Sequence, residues 1–191
     1  VIPFPDPPLN DGAITLRPLR EADAPALAAT YRDDETRRWT WWLASGEGPF
    51  DVSETTIEIA EREERRRLGH AITLAIAGGT VSEFLGTVSL AICSDGLVGE
   101  VGFIVCREAR GRHVARRAGR LVVDWGFEGL GLRRIQAVTA SGNHRARTVL
   151  ECLGFQQEGL LRSYRPGSGA SGDRLIYSLL PSDGPGSPAY R

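Results

Sequence analysis

The chain has 191 residues, 41% hydrophobic and 25% charged, which suits one folded domain with a real core and excludes a disordered polymer. The formal net charge is -1 and all 23 Lys/Arg-type cations are arginine, so a strongly cationic nucleic-acid binder is excluded while a local basic patch is not. The longest apolar runs, such as Leu85 to Cys93, are strand-sized, far below the ~18 residues of a membrane span, and Val1 to Pro8 lacks the layout of a secretory signal.

Ala13 to Leu19 reads as a first strand, and Glu21 to Tyr31, with Ala24, Leu27, Ala28 and Tyr31 at spacings of three and four, reads as an amphipathic helix. Arg37 to Phe50 crowds Trp39, Trp41 and Trp42 beside Gly46, Gly48 and Pro49, and is expected as a loop or broken helix. Asp51 and Glu54 form a capping box for a helix running to about Leu68, whose alternating charges from Glu61 to Arg67 mark a solvated face. Ala71 to Ala77 and Phe84 to Ile92 read as neighbouring strands joined through Gly78 and Gly79. Glu100 to Cys106 is a further strand, so apolar that burial on both faces is expected.

An Arg/Gly-rich turn follows, then a helix with Ala115, Ala118, Val122 and Trp125 on one face, stopped by Gly129 and Gly131. Arg134 to Ala140 is the next strand. Asn143 then caps a helix whose apolar face is Ala146, Val149, Leu150 and Leu153 and which Gly154 closes. Phe155 to Leu161 and Leu175 to Leu180 are the last strands, joined by a flexible Pro166 to Gly172. Pro181 to Arg191 is a Pro/Gly/Ser tail. Cys93, Cys106 and Cys152 form no C-x-x-C pair, so no disulfide framework or metal site is expected, and all three read as buried thiols.

The strongest chemical signal is the strand–turn–helix sequence Glu100-Val-Gly-Phe-Ile-Val, then Arg110-Gly111-Arg112-His113-Val114-Ala115. Backbone N–H groups at a helix start lack intrahelical partners and converge on one spot that the helix dipole makes favourable for phosphate. Arg110, Arg112, Arg116 and Arg117 can add charge-assisted hydrogen bonds. The plain alternative is a turn made by Gly111 with solvated arginines around it.

The same turn resembles the Q/R-x-x-G-x-G/A segment of the GNAT acetyltransferase superfamily, with Arg110 and Ala115 in its first and last positions. Asn143, Val149-Leu150-Glu151-Cys152-Leu153-Gly154-Phe155 and Glu158-Gly159 are similar to the ending of its ribosomal-protein-type N-acetyltransferase branch, and Ile14 to Ala24 is similar to that branch's opening. The resemblance implies an α/β (α+β) fold, a mixed, mainly antiparallel sheet of six or seven strands flanked by helices, with splayed central strands. It implies one acetyltransferase domain over 13–180, an N-terminal extension over 1–12 and a flexible tail over 181–191.

It further implies acetyl-CoA as cofactor, and a small-molecule amine or a protein N-terminus as acceptor. Backbone groups of Phe103, Ile104 and Val105 are expected to pair with the pantetheine arm, as an added strand would. Gly111, Arg112, His113, Val114, Ala115 and Arg116 are expected at the pyrophosphate with Arg110, and Asn143 near the thioester. The Val105 N–H is the expected oxyanion donor, Glu100 the candidate base, and Trp41 and Trp42 the candidate acceptor wall.

Three positions depart from the pattern: His113 replaces a glycine, Ala146 a serine, and Leu150 the tyrosine that other members use as an acid. These departures keep open a non-catalytic CoA-binding or sensing module, and Arg107 to Arg120 keeps open a nucleic-acid patch, which the near-zero charge and lack of interleaved aromatics disfavour. The expected setting is cytoplasmic, with no nucleic acid, membrane or metal partner; the sequence does not fix the oligomeric state and leaves a homodimer open. Position 1 is Val rather than Met, so the start is expected to be processed, trimmed or misread.

Overall fold

The computed structural model describes residues 1–44, 48–79, 83–93, 96–164 and 172–183, apart from the side chains of residues 41 and 44. The expected flexible segment from Pro166 falls outside them up to residue 171, as does the tail beyond Asp183. Strand β1 (Thr15–Pro18) leads through a short 3₁₀ turn into helix α1 (Ala24–Arg32). Where a loop or broken helix was expected, two short helices form, α2 (Asp34–Trp39) and α3 (Trp41–Ala44). The Asp33 carboxylate starts α2 by accepting from the Thr36 N–H at 3.0 Å.

Helix α4 (Val52–Arg67) begins at the expected capping box, where Asp51 Oδ1 accepts from the Glu54 N–H at 2.8 Å and Glu54 reaches back to the Asp51 N–H. Strands β2 (Ala71–Ala77), β3 (Phe84–Ile92) and β4 (Val98–Val105) follow, then α5 (Val114–Glu128), β5 (Arg134–Ala140), α6 (His144–Cys152), β6 (Gln156–Leu161) and β7 (Arg174–Leu179).

These strands build one seven-stranded sheet in the order β1-β2-β3-β4-β5-β7-β6, antiparallel at every junction but one. The exception is the parallel contact of β4 with β5, which lasts only from Val98↔Arg134 to Glu100↔Gln136. Beyond it both strands continue without pairing to each other, so the sheet opens into a V. This corrects the expectation that the apolar strand is buried on both faces: Gly102 to Val105 are only half-buried, because the neighbouring strand has turned away.

One face of the sheet carries the main core, where Val114, Ala118, Val122 and Val123 of α5 and Leu150 of α6 meet Leu90, Val101, Ile135 and Tyr177. The other face carries a second cluster, in which Ala24, Leu27 and Tyr31 of α1 meet Leu43 of α3 and Ile59 of α4, with Ile104 of β4 against them. Arg17 and Asp23, both almost fully buried, are joined by two hydrogen bonds of 2.7 Å that fix the entry to α1.

The first twelve residues pack against the fold: Ile2 is in the main core, its N–H donates to Arg66 O at 3.0 Å, and Asp11 accepts from Arg117 of α5 at 2.7 Å. The cysteines correct a second expectation, since Cys106 alone is buried, Cys93 is half-buried and Cys152 is exposed. Cys152 lies on α6 at the edge of a groove rather than on the helix's core face.

Candidate active site

Where β4 leaves β5, a groove of about 740 Å³ runs from the strand ends past the turn before α5 and along α6. Phe103, Ile104, Val105, Arg110, Gly111, His113, Val114, Ala115, Arg116 and Asn143 all line it. The structure thus brings ten of the fourteen sequence-derived site residues to one place. Arg112, Glu100 and Trp42 lie elsewhere, and the Trp41 side chain is outside the described part of the structure.

The turn folds through two left-handed residues, Gly111 at φ 76° and His113 at φ 59°, ψ 15°. At the second, where the resembled pattern has a glycine, the conformation is one that glycine adopts freely and histidine adopts at a cost. Among the described residues, the N–H groups of Gly111 to Arg116 meet no protein acceptor; the helix ladder begins with Arg117 N–H to His113 O at 3.0 Å. Six consecutive unpaired donors at the head of a fifteen-residue helix make an anion cradle.

The four arginines expected around it have different partners. Arg110 is held by Asp33, Glu35 and Thr36, Arg117 by Asp11, and Arg112 approaches Glu83 at 3.9 Å. Arg116 lines the groove and has no acidic partner among the described residues. Of the four, it is the one that forms no ion pair among the described residues.

Along β4 the backbone alternates. Cys106 N–H donates to Leu85 O of β3 at 2.9 Å, so the N–H and C=O of Phe103 and Val105 turn the other way, into the V. Ile104, by the same alternation, pairs with Thr87 and contributes its side chain instead. On the opposite wall the Asn143 carbonyl accepts from the Ala146 N–H at 3.1 Å, while its amide N–H₂ has no acceptor among the described residues.

Glu100 sits at the apex of the V, where its carboxylate accepts from Gln136 at 3.0 Å. It shares a strand face with Gly102 and Ile104, the face covered by α1 and α3. Five residues separate it from Val105, about 17 Å of strand at ~3.3 Å each, so a proton taken by Glu100 from a group near Val105 must travel through water. Ala146 lines the groove and Leu150 is buried in the core, so neither supplies an acid. Thr36 and Thr148, also in the lining, already donate to Asp33 Oδ1 at 3.1 Å and His144 O at 3.0 Å.

Trp42 packs edge-on to Tyr31, ring centres 5.2 Å apart, in the second core cluster, whereas Trp39 lines the groove. Sequence reasoning missed Glu35 and Thr36 of α2, Thr40 at its C-terminal cap, and Arg145, Thr148 and Cys152 of α6. Signals for both sets are present: Asp33 followed by Asp34 and Glu35 and then by Arg37 and Arg38 has the charge order of a capped helix. Positions 145, 148, 149 and 152 recur at helical spacing on one side of α6.

Residues 13–156 match the Acetyltransferase (GNAT) domain family. The chain belongs to the GNAT acetyltransferase family. An N-acetyltransferase of Bacillus licheniformis, p20, itself named as uncharacterized, is 30% identical over 87% of this chain and 92% of its own length. YdaF of Bacillus subtilis, provisionally named a ribosomal N-acetyltransferase, is 30% identical over 87% of this chain and 91% of its own. The Mycobacterium smegmatis RimJ structure, in complex with CoA-disulfide, superposes with a TM-score of 0.81 at 26% identity, covering 94% of this chain and 87% of that one. Acetyl-CoA is the cosubstrate of this acetyltransferase, and with enzymes as relatives the sensing-module alternative is set aside. No helix among the described residues is long and apolar enough to cross a membrane.

Proposed function

We propose that this acetyltransferase moves the acetyl group of acetyl-CoA to a primary amine, either a protein N-terminus or a small amine. The observation that carries the reading is the row of unpaired N–H donors from Gly111 to Arg116, in a turn that lines the same groove as Phe103, Val105 and Asn143 with all its residues but Arg112. The pyrophosphate lies on the cradle beside Arg116, the pantetheine amides pair with the β4 backbone, and the Asn143 amide N–H₂ donates near the thioester. A protein N-terminus is favoured by the resemblance of residues 143–159 to the ribosomal-protein-type branch and by the provisional name of YdaF, a ribosomal N-acetyltransferase.

Chemically, a neutral amine nitrogen attacks the thioester carbonyl carbon, the C–N bond forms, and the C–S bond breaks. The Val105 N–H, turned into the V, donates to the oxygen as it gains charge. The amine is protonated at neutral pH in water, so its proton leaves before attack, through water to Glu100 at the apex. With Ala146 and Leu150 where acids stand in other members, the departing thiolate takes its proton from water or from the new ammonium.

Calorimetric titration of CoA tests the cofactor reading. The wild type binds, and Gly111→Asp, which sets a carboxylate against the phosphates, loses at least ~tenfold in affinity. Unchanged affinity moves the cofactor elsewhere. Thiol release from acetyl-CoA with a panel of N-terminal peptides and small amines tests the acceptor. A panel on which only small amines are turned over refutes the N-terminus preference.

A further inference from the structure

Arg110 opens the cofactor turn, yet its guanidinium is engaged by helix α2. It pairs with the Asp33 carboxylate, donates to Thr36 Oγ1 at 2.9 Å and reaches Glu35 Oε2 at 3.3 Å. Asp33 is also the residue that starts α2, through the Thr36 N–H. One arginine therefore grips three side chains of the first turn and its cap. Burial pushes the Asp33 carboxyl up, but the Arg110 side chain and the Thr36 N–H outweigh it and hold the group below the ordinary aspartate range, ionised at neutral pH.

The far side of α2 reaches the opposite wall. Glu35 accepts from Arg145 of α6 at 2.8 and 2.9 Å, and the Trp39 ring stands 3.6 Å from where a Cβ on Gly142 would be, beside Asn143. Helix α2 thus spans the groove, tied at one side to the turn before α5 and at the other to the start of α6. Two carboxylates, Asp33 and Glu35, balance the two guanidinium groups they hold, Arg110 and Arg145, so neither tie leaves a spare positive charge for a phosphate. A six-residue helix has almost no stability of its own, so its place depends on these ties.

We propose that Arg110 is a positioning residue, whose side chain fastens α2 across the groove and so sets Trp39 and Thr40 against the acetyl end, leaving the phosphates to the backbone donors and Arg116. The inference rests on the groove's being the acetyl-CoA site. It assigns the first arginine of the turn to the acceptor side of the reaction.

The test compares the wild type, Arg110→Ala, Arg110→Lys and Arg116→Ala by CoA calorimetry, by amide hydrogen exchange over residues 34–40, and by steady-state kinetics with an amine the wild type turns over. Losing charge-assisted bonds should speed exchange over 34–40 by about tenfold or more in Arg110→Ala and raise the acceptor KM, with CoA affinity within about threefold. Arg116→Ala should show the reverse, a loss of CoA affinity with unchanged exchange. Arg110→Lys keeps the charge without the fork and should recover part of the protection and of the acceptor KM.

Equal losses of CoA affinity in Arg110→Ala and Arg116→Ala, with exchange over 34–40 unchanged, overturn the proposal and make Arg110 a phosphate ligand. A wild type that does not bind CoA removes the reading of the groove instead. The exchange comparison still decides whether Arg110 holds α2.

Discussion

Gly86 is the point at which β3 allows the cofactor strand to lie where it does. A Cβ built there would stand 2.2 Å from Ile104 O and 2.9 Å from Val105 Cα, both backbone atoms that no rotamer change can move. Its φ of 147° adds a conformation that side chains avoid. Gly86→Ala therefore forces β4 outward by more than 1 Å or breaks the pairing of Thr87 with Ile104. Overpacking of this kind costs about 1–3 kcal/mol and the strained backbone about as much, a sum of roughly 2–6 kcal/mol. At about 2–4 °C per kcal/mol for a chain of this size, the melting temperature should fall by about 4–24 °C.

Because the displaced residues are the two that end the cofactor strand, CoA affinity should fall with it. Scanning calorimetry and CoA titration read the two effects. Gly102→Ala is the control, since its Cβ meets only the Ser89 hydroxyl, at 3.2 Å, a side chain that can turn aside. A Gly86→Ala protein that melts within about 2 °C of the wild type and binds CoA equally well would refute the reasoning.

His113→Gly relieves a left-handed histidine worth about 1–2 kcal/mol of strain, partly offset by the freer unfolded chain, so stability should hold or rise and CoA affinity should not fall; a large loss of affinity shows that the imidazole itself touches the cofactor. Cys152 borders the groove and is exposed, so a thiol reagent should label it and saturating CoA should slow that labelling. Cys106, whose thiol burial pushes up, should stay unlabelled until the protein unfolds; labelling of Cys152 indifferent to CoA refutes the path along α6.

Asp23→Asn removes the carboxylate charge from beside the buried Arg17 and should cost about 3–5 kcal/mol at neutral pH, measured by urea unfolding. Burial acts to raise the Asp23 pKa, but the Arg17 fork and the Arg20 N–H bring it below the ordinary value. Its contribution is therefore present above about pH 4 and lost as pH falls through the folded-state pKa, and the variant should lack that part of the acid dependence. A wild type and variant with parallel acid-unfolding profiles contradict this.

Much of the architecture is legible because local signals agree. Phe84–Ile92 and Arg134–Ala140 are read to the residue from apolar runs ended by turn residues, and α4 from its capping box. What is illegible is set at long range. Nothing in Gly102 to Val105 records that β5 will turn away, so their partial exposure was not foreseen. Nor does an arginine-rich turn say which cation meets which carboxylate: Asp33 lies 77 residues from Arg110, and Asp11 106 residues from Arg117. Helix α2 is obscured for a nearer reason: three tryptophans and the glycines after them have the composition of a loop, and the cap at Asp33 heads only six helical residues.

The single parallel junction has a mechanical meaning. Four strands, β1 to β4, form one antiparallel blade and three, β5, β7 and β6, form another, and between the blades the sheet's own bonding spans only three residue pairs. That seam is the shortest strand junction in the sheet, with α5 packed behind it and the V in front, and so the place where the blades would rock most easily. A cosubstrate whose amides pair with β4 acts there as a wedge that limits how far the blades rock. Slow opening of the seam, visible as exchange of the Gly99 and Gln136 amides, which face each other's strands there, should be damped when CoA binds and return each time the product leaves.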